Sequence, residues 1–417
     1  MALLLRKVWG SVLTRSGSTS SSGSRSIRSS SDLGEDPNSS MGAFDLIPTD
    51  VFMQILRLLG PREAARSSLV CRAWRALVAD NRLWIFFLQN GKEPWDCVVF
   101  AETHLRGGSP YLTYYGHTPQ LSFMRIYAQR AVIPGSVIVD GGSGYCKFGW
   151  SKYSSPSGRS ATFLEFGNIE SPMYARLHHF FSTIYTRMRV KPSSQPIIVI
   201  IPICHCDVFQ GKVMREIGVE IVGQGALKLT GFLRELMQQR NMNFESLYTV
   251  RTIKEKLCYV AVDYDAELRK DTQALCQIPG EGLFTLSKER FQTGEILFQP
   301  QMGGVRAMGL HRAVALCMDH CFNAEIVSDD GWYKTVVLAG GTSCLPGLPE
   351  RLEKELHKIL PPSMSEGVKV LPPPYGVDSA WFGAKIVSNV STFIDAWCMT
   401  KKRFRQKFRR NTSGRTW

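Results

Sequence analysis

The sequence has no apolar run of the roughly 18–20 residues that a membrane-spanning helix requires. Its 11 cysteines are odd in number, follow no framework and are preceded by no evident secretory signal. We therefore expect reduced thiols and no membrane partner. A hydrophobic content of 44% over 417 residues is typical of a soluble globular protein with two or three domains.

Acidic residues are missing from both ends of the chain. Residues 1–30 contain five Lys or Arg residues and no Asp or Glu, and residues 401–417 contain eight and none. The remaining body is nearly neutral, with 37 basic and 36 acidic residues, although the whole chain carries a net charge of +14. This distribution is unlike that of a nucleic-acid-binding domain and indicates that the tails contact something acidic.

Two short clusters combine the residue types that bind zinc, namely Cys204, His205 and Cys206 in one and Cys317, His320 and Cys321 in the other. The first follows an apolar strand-like run, and the second lies in the amphipathic helical pattern LHRAVALCMDHC. We interpret these as core cysteines and expect no metal site.

The N-terminal part of the chain divides into three segments. Residues 1–43 are rich in Ser and Arg and are expected to be a disordered tail, with an organelle transit peptide as the alternative. Residues 44–87 predict a compact helical unit in which Pro48 with Thr49 or Asp50 starts one helix and Gly60-Pro61 ends it. A second helix is predicted from Ala65 to Leu77, and residues 88–134 are interpreted as a linker with one helix, LSFMRIYAQRA.

The helical unit reads LIPTDVFMQIL followed by SLVCRAWRALVADNRLW, and this pattern resembles the F-box. The resemblance implies that the unit docks onto Skp1 and thereby links the chain to a cullin-type ubiquitin ligase. The residues assigned to Skp1 binding are Ile47, Pro48, Val51, Ile55, Leu56, Val70, Trp74 and Trp84.

Residues 135–400 alternate strand and helix patterns, which predicts an α/β fold. The stretch VIVDGGSGYCKFGW at 137–150 predicts a strand, a glycine-rich turn and a second strand. Backbone N–H groups in such a turn bind phosphate oxygens, Lys147 adds a positive charge, and Asp140 is placed to reach a hydrated divalent metal. The plainer alternative is an ordinary hairpin.

Two further landmarks follow in this half. Residues 250–268 predict a helix with Lys254 and Glu255 on a polar face, and residues 335–356 predict a buried strand, a Gly-Gly turn at Gly340 and Gly341, and a helix. Each is also compatible with an ordinary element of an α/β sheet.

Four segments resemble segments of actin and actin-related proteins and follow one another in the order found in that family. They are IKEKLCYVA, ERFQTGEILFQP, LAGGTSCLPG and WFGAKIVSNVSTF. An F-box ahead of an actin-like domain is similar to the plant actin-related protein 8 class. The resemblance implies two ribonuclease-H-like lobes around a nucleotide cleft and an Mg-ATP site. The nucleotide-contacting residues by position are Asp140, Gly142, Ser143, Gly144, Lys147, Lys254, Glu255, Gly340, Gly341 and Thr342.

The second phosphate hairpin of that family has no counterpart in this sequence, nor has the glutamine that positions the attacking water. QPIIVIIPICHCDVF runs directly into QGKVMREIGVEIVGQG, which indicates an internal gap near residues 204–212. Asp329-Asp330-Gly331 is the nearest match to a second hairpin, but it precedes the third landmark. We therefore expect neither ATP hydrolysis nor filament formation.

The C-terminal tail at 401–417 combines its cations with Phe404 and Phe408, which is typical of a nuclear or nucleolar address or of an arm that contacts nucleic acid or an import receptor. The alternative is a solvated, disordered end. The expected location is the nucleus, with the nucleolus and cytoplasm as further possibilities. The favoured hypothesis is a non-catalytic interaction protein that binds Skp1 and recruits an unidentified target through its actin-like body. The alternative is an ATP-binding switch with weak or no hydrolysis.

Overall fold

A computed structural model describes residues 44, 46–108, 121–142, 144–160, 162, 171–191, 195–200, 220–280, 282–323 and 334–412. The chain divides into two compact units, one of Met1–Pro134 with Ile386–Trp417 and one of Gly135–Lys385. The predicted N-terminal tail at 1–43 and the predicted gap near 204–212 lie outside the described residues.

The first unit begins with three helices, α1 (Thr49–Ser67), α2 (Arg72–Val78) and α3 (Asn81–Gln89). Pro48 precedes α1 as predicted, and Gly60 breaks it with a φ of 81°, a left-handed conformation that glycine adopts without a steric penalty. The predicted second helix is wrong as one continuous element. Residues after Ser67 form a turn that leaves Leu69 exposed, and α2 starts only after Cys71, whose sulfur accepts the Trp74 N–H.

The linker prediction for residues 88–134 differs from the structure, because the described residues of this segment are largely helical and join the core of the first unit. It contains α4 (Trp95–Phe100), a π-helical turn (Ala101–Leu105) and α5 (Phe123–Val132), which is the helix predicted within it. Phe123 and Ile126 of α5 are buried in one cluster with Leu56 and Trp84. The apolar surface of the helical unit is thus partly covered by its own chain.

The C-terminal segment from Ile386 onward packs within this first unit, whereas the sequence predicts that residues up to 400 belong to the α/β domain. Its Ser391 contacts the buried Glu102, and the Trp397 indole N–H donates to the Leu105 carbonyl at 2.7 Å. Val390 is fully buried beside Leu105. These contacts involve residues nearly 300 positions apart, a pairing that local sequence patterns do not encode.

The second unit opens with a four-stranded mixed sheet in the order β3-β2-β1-β4. Its strands are β1 (Val137–Gly141), β2 (Cys146–Trp150), β3 (Gly158–Ser160) and β4 (Ile197–Ile200). β1 pairs antiparallel with β2 and parallel with β4. Helix α6 (Met173–Met188) packs Phe180 and Ile184 against this sheet, so the predicted strand–turn–strand opening and the α/β character are confirmed.

The rest of the second unit surrounds a larger core formed mainly by helices. They are α7 (Ala226–Gln238), α8 (Leu247–Leu257), α9 (Tyr264–Leu268), α10 (Glu289–Glu295), α11 (Leu310–Asn323), α12 (Leu348–Ile359), α13 (Pro362–Ser365) and α14 (Ser379–Ser388), the last of which ends in the first unit. The strands are the antiparallel hairpin of β5 (Ala274–Ile278) and β6 (Gly282–Leu286), and the parallel pair of β7 (Thr335–Val337) and β8 (Lys369–Leu371). A last helix, α15 (Lys401–Thr412), covers most of the basic C-terminal tail.

Two landmark predictions need correction in this unit. The single helix predicted over 250–268 is instead α8 and α9, separated at Cys258–Asp263 by backbone whose Val260 N–H donates to the Pro346 carbonyl. The predicted buried strand before Gly340 is short, and its Val337 is 61% exposed.

Candidate functional sites

The glycine-rich hairpin brings Asp140 and Lys147 together. These residues are directly opposite each other in the β1–β2 register, so their side chains project from the same face of the sheet. Lys147 Nζ lies 3.6 Å from Asp140 Oδ2, and both side chains are about nine-tenths buried. A Cβ at Gly142 would lie 2.7 Å from the Tyr145 carbonyl oxygen, so this turn requires glycine. Ser143 lies outside the described residues.

Lys147 is engaged by Val377 and Asp378, which were not among the predicted site residues. Its ammonium donates to the Val377 carbonyl and lies 3.2 Å from Asp378 Oδ1. Arg159 Nη2 lies 3.7 Å from the same carboxylate oxygen. Burial raises the pKa of Asp140, and the nearby Lys147 opposes that rise. A single sequence carries no motif that marks Asp378 as part of this cluster.

Lys254 lies inside the fold and not on a solvated polar face. Its Nζ donates to the Ala226 carbonyl and to Thr230 Oγ1, both at 3.0 Å. Burial lowers the pKa of this amine. Glu255 is exposed, and its Oε2 lies 3.5 Å from the Tyr145 hydroxyl. Consequently Lys254 fixes α8 to α7, and only Glu255 of the predicted pair faces solvent.

The hairpin and α8 contact each other directly through Arg251. Its Nη1 donates to the Gly144 carbonyl at 2.8 Å, and its guanidinium lies 4.8 Å from the centre of the Tyr145 ring. This is a cation–π contact combined with a charge-assisted hydrogen bond. Arg251 and Tyr145 were not predicted as site residues. The sequence pattern places Arg251 in a predicted helix and Tyr145 in the glycine-rich turn, and it gives neither residue a role.

The third group of predicted nucleotide residues lies beside the Lys147 cluster. Gly340 has a φ of 93°, its carbonyl accepts the Ser343 hydroxyl at 2.6 Å, and a 3-10 turn starts at Thr342. This turn contacts the Gly376–Asp378 turn. Leu345, which follows, is buried in the core. The structure thus brings Gly340–Thr342 and the hairpin to one region.

The helical unit presents a second candidate site, an apolar surface on α1. Phe52, Met53 and Leu56 of this helix are buried in the core. The residues on another side of the same helix are exposed, with values of 41% for Val51, 37% for Ile55, 88% for Leu58 and 48% for Leu59. Their spacing places these four side chains along one stripe of the helix. We call these four residues the α1 stripe.

The predicted Skp1-binding residues fall into two groups. Pro48, Val51, Ile55 and Val70 are exposed, and Ile47 is half-buried against the core. Leu56 and Trp84 belong to the core: Leu56 is fully buried, and the Trp84 indole N–H donates to the Val78 carbonyl at 2.6 Å. The assignment of these two residues to a partner surface is therefore corrected.

Trp74 occupies an intermediate position between these groups. It is half-buried, and its ring makes edge contacts with Phe44 and Phe52 at centroid distances of 5.2 and 4.7 Å. Its indole N–H is buried and has no hydrogen-bond partner within the described structure. The residue therefore supports the local fold of the unit through aromatic packing.

Comparison with known proteins identifies the two parts of the chain. The family model described as Actin matches residues 224–408, and the model described as F-box-like matches residues 44–90. Actin-related protein 8 from Oryza sativa subsp. japonica is 61% identical over 99% of this chain and 98% of its own length. The protein of that name from Arabidopsis thaliana is 53% identical over 98% of this chain and 99% of its own length. The chain belongs to the plant actin-related protein 8 family. It consists of an F-box-like domain followed by an actin-like domain.

The alignment with the rice family member extends over 479 positions, whereas this chain has 417 residues, so the relative has at least 62 residues without a counterpart here. A more distant relative, Actin-related protein 2 from Caenorhabditis briggsae, is 32% identical over 44% of this chain and 50% of its own length.

Within the described ranges no group of three or more His, Cys, Asp or Glu side chains is arranged to hold a metal ion. Cys204, His205 and Cys206 are outside those ranges, and Cys317 is half-buried in α11. Among the helices that the structure describes, none has both the length and the apolar character needed to cross a bilayer.

Proposed function

We propose that this protein is a non-catalytic adaptor whose F-box-like domain binds a Skp1-type protein and whose actin-like domain recruits a second protein to a cullin-type ubiquitin ligase. The observation that carries the proposal is the α1 stripe. Helix α1 buries one apolar side in its own core and exposes a second apolar side that the described part of the chain does not cover. A helix with apolar residues on two sides is suited to packing between two partners.

The energetics of the α1 stripe favour a protein partner. Full burial of a Val, Leu or Ile side chain contributes about 1.5–3 kcal/mol, so four partly exposed side chains supply several kcal/mol toward association. Val70 and Leu69 add apolar surface after α1, with 64% and 78% of their surfaces exposed. Such a cluster of exposed apolar residues marks an interaction site more often than isolated ones do.

The proposed absence of catalysis is supported by the contacts of the predicted nucleotide residues. Lys147 is neutralised by Asp140 and Asp378, and Lys254 is used to hold α7 and α8 together. Arg251 joins the hairpin to α8 directly. These contacts favour a body whose shape does not depend on nucleotide, in contrast to the alternative of an ATP-binding switch.

Co-purification with a plant Skp1-type protein tests the adaptor proposal. We expect the wild-type full chain to retain the partner and the double variant Ile55→Asp with Leu58→Asp to lose it, because two carboxylates would be forced into an apolar contact. The control is Leu283→Asp in β6, which places one of these carboxylates on a leucine that is 63% exposed in the other unit. Equal retention by the stripe variant and the control would refute the proposal, provided that both melt like the wild type.

We further propose that the basic helix α15 directs the protein to the nucleus. The side chains of Lys401–Gln406 are all exposed, and the first three of them are cations. Replacement of Lys401, Lys402, Arg403 and Arg405 by Gln should redistribute a fluorescent fusion from the nucleus to the cytoplasm in plant cells. An unchanged nuclear fraction would contradict this assignment.

A further inference from the structure

The turn before α14 places a carboxylate beside the lysine of the glycine-rich hairpin. Asp378 ends the 3-10 turn Gly376–Asp378, and its Oδ1 lies 3.2 Å from Lys147 Nζ. The Asp378 side chain is 22% exposed, whereas that of Lys147 is 9% exposed. The Asp378 side chain is therefore more exposed than that of Lys147, although the oxygen that faces the ammonium, Oδ1, is itself buried.

The carboxylate is held in place by the turn that carries it. The Asp378 N–H donates to the Tyr375 carbonyl at 3.1 Å, and the Ser379 hydroxyl donates to the Gly376 carbonyl at 2.9 Å. The Tyr375 ring stacks on Phe382 at a centroid distance of 4.2 Å. Three residues after Asp378, Trp381 is fully buried and anchors α14 in the core. The position of Asp378 is thus fixed from both sides.

We propose that the Asp378 carboxylate takes the place beside Lys147 that a phosphate group would occupy, and thereby prevents phosphate-bearing ligands from binding at the hairpin. This inference rests on the proposed function, in which the actin-like domain works without bound nucleotide. It assigns the absence of nucleotide binding to one residue. An ammonium has three donors, and here its neighbours are the Val377 carbonyl and the carboxylates of Asp378 and Asp140.

The charge balance of this cluster gives the proposal its physical basis. Two carboxylates face one ammonium, and Arg159 contributes a second cation at 3.7 Å from Asp378. The cluster is neutral as it stands. A diphosphate group that approached Lys147 would meet two negative charges at short range, where effective dielectric screening is weaker than in bulk water. Removing the charge of Asp378 leaves a net positive cluster that attracts an anion.

Calorimetric titration of the full-length protein with inorganic pyrophosphate tests this inference. We expect Asp378→Asn to bind pyrophosphate at least tenfold more tightly than the wild type does. Adding Lys147→Met to that variant should abolish the gain, because the gain depends on the freed ammonium. The control Asp271→Asn removes the same charge from an exposed position in the same unit and should leave the affinity unchanged. The inference is overturned if folded Asp378→Asn binds no better than the wild type, or no better than Asp271→Asn.

Amine acylation of the wild-type protein gives a second readout that does not depend on the folding of a variant. Lys147 should stay unmodified under conditions in which the exposed Lys256 is fully acetylated, as measured by peptide mass spectrometry. Rapid acetylation of Lys147 would contradict its engagement by Asp378. Tight pyrophosphate binding by the wild type would overturn both this inference and the proposal that the protein works without nucleotide. If Asp378→Asn gains no affinity for pyrophosphate, only this inference is overturned, and Skp1 binding is unaffected.

Discussion

Replacement of Glu102 by Ala should destabilise the first unit strongly, because this carboxylate joins three parts of the chain. Glu102 is fully buried. Its Oε1 accepts from Arg130 Nη1 at 2.8 Å and from the Ser391 N–H at 2.9 Å, and its Oε2 accepts from the Ser391 hydroxyl at 2.6 Å. The residue thus connects the π-helical turn, α5 and the C-terminal segment.

The magnitude follows from what the substitution leaves behind. Removing one member of a buried ion pair costs about 3–5 kcal/mol when the remaining charge is uncompensated. Arg130 keeps a second partner, Glu93, at 2.5 Å, so its charge stays paired. The Ser391 N–H and hydroxyl lose their acceptors, and a cavity remains. We therefore expect a loss near the lower end of that range, about 3 kcal/mol.

The matched control is Glu63→Ala, which removes a carboxylate from another arginine pair of the same unit. Glu63 lies 2.8 Å from Arg66, but these side chains are 47% and 58% exposed. Exposed pairs contribute about 0–1 kcal/mol, so the control should be almost neutral. Hydrogen exchange with mass spectrometry measures the opening free energy of peptides from α5 and from residues 386–397. A Glu102→Ala effect no larger than that of Glu63→Ala, or one confined to residues 135–385, would refute the assignment of the C-terminal segment to the first unit.

Two further predictions concern local structure. Asp80→Ala should cost about 1 kcal/mol at pH 7 because Asp80 caps α3 by accepting the Arg82 N–H at 2.8 Å. The hydrogen bond from the Arg82 side chain lowers the pKa of Asp80. The stability that the Asp80 carboxylate contributes is therefore fully present above the ordinary pKa of 3.8 and is lost as pH falls through the lowered pKa. Urea unfolding should show that the difference in unfolding free energy between the wild type and Asp80→Ala is smaller in acid than at pH 7. Gly347→Ala should destabilise the second unit by more than about 1 kcal/mol, since its φ is 81° and an added Cβ would lie 2.1 Å from the Val260 carbonyl oxygen. The control Gly231→Ala, in α7 with nothing within 4 Å, should instead stabilise by about 0.5–1 kcal/mol, and equal thermal shifts for the two variants would contradict the steric argument.

The elements that local patterns encode were predicted well from the sequence. The apolar strand VIVDG, its glycine turn and the following CKFGW became β1 and β2 in the expected antiparallel pairing. The kink at Gly60 follows from Gly-Pro chemistry, which acts within a few residues. The F-box-like and actin-like domains were identified because their motifs keep their order along the chain.

The features that depend on long-range packing were not predicted. Leu56 and Val51 are similar apolar residues of one helix, and the packing of α1 against α2 and α3 leaves Leu56 buried and Val51 exposed. Lys254 looks like a solvated helix residue until α7 covers it. Asp378 and Lys147 are separated by 231 positions, so no local pattern links them. These cases share a physical cause, since tertiary contacts set burial and charge pairing.

The central claim is that the protein binds a Skp1-type protein. The most direct test is to titrate the purified full-length protein with a purified plant Skp1-type protein and to measure binding by biolayer interferometry. The account predicts saturable one-to-one binding that is lost in the Ile55→Asp and Leu58→Asp double variant and kept in Leu283→Asp. The same affinity should be measured with and without Mg-ATP, because the proposed adaptor does not use nucleotide. Absence of saturable binding by the folded wild-type protein would contradict the adaptor function.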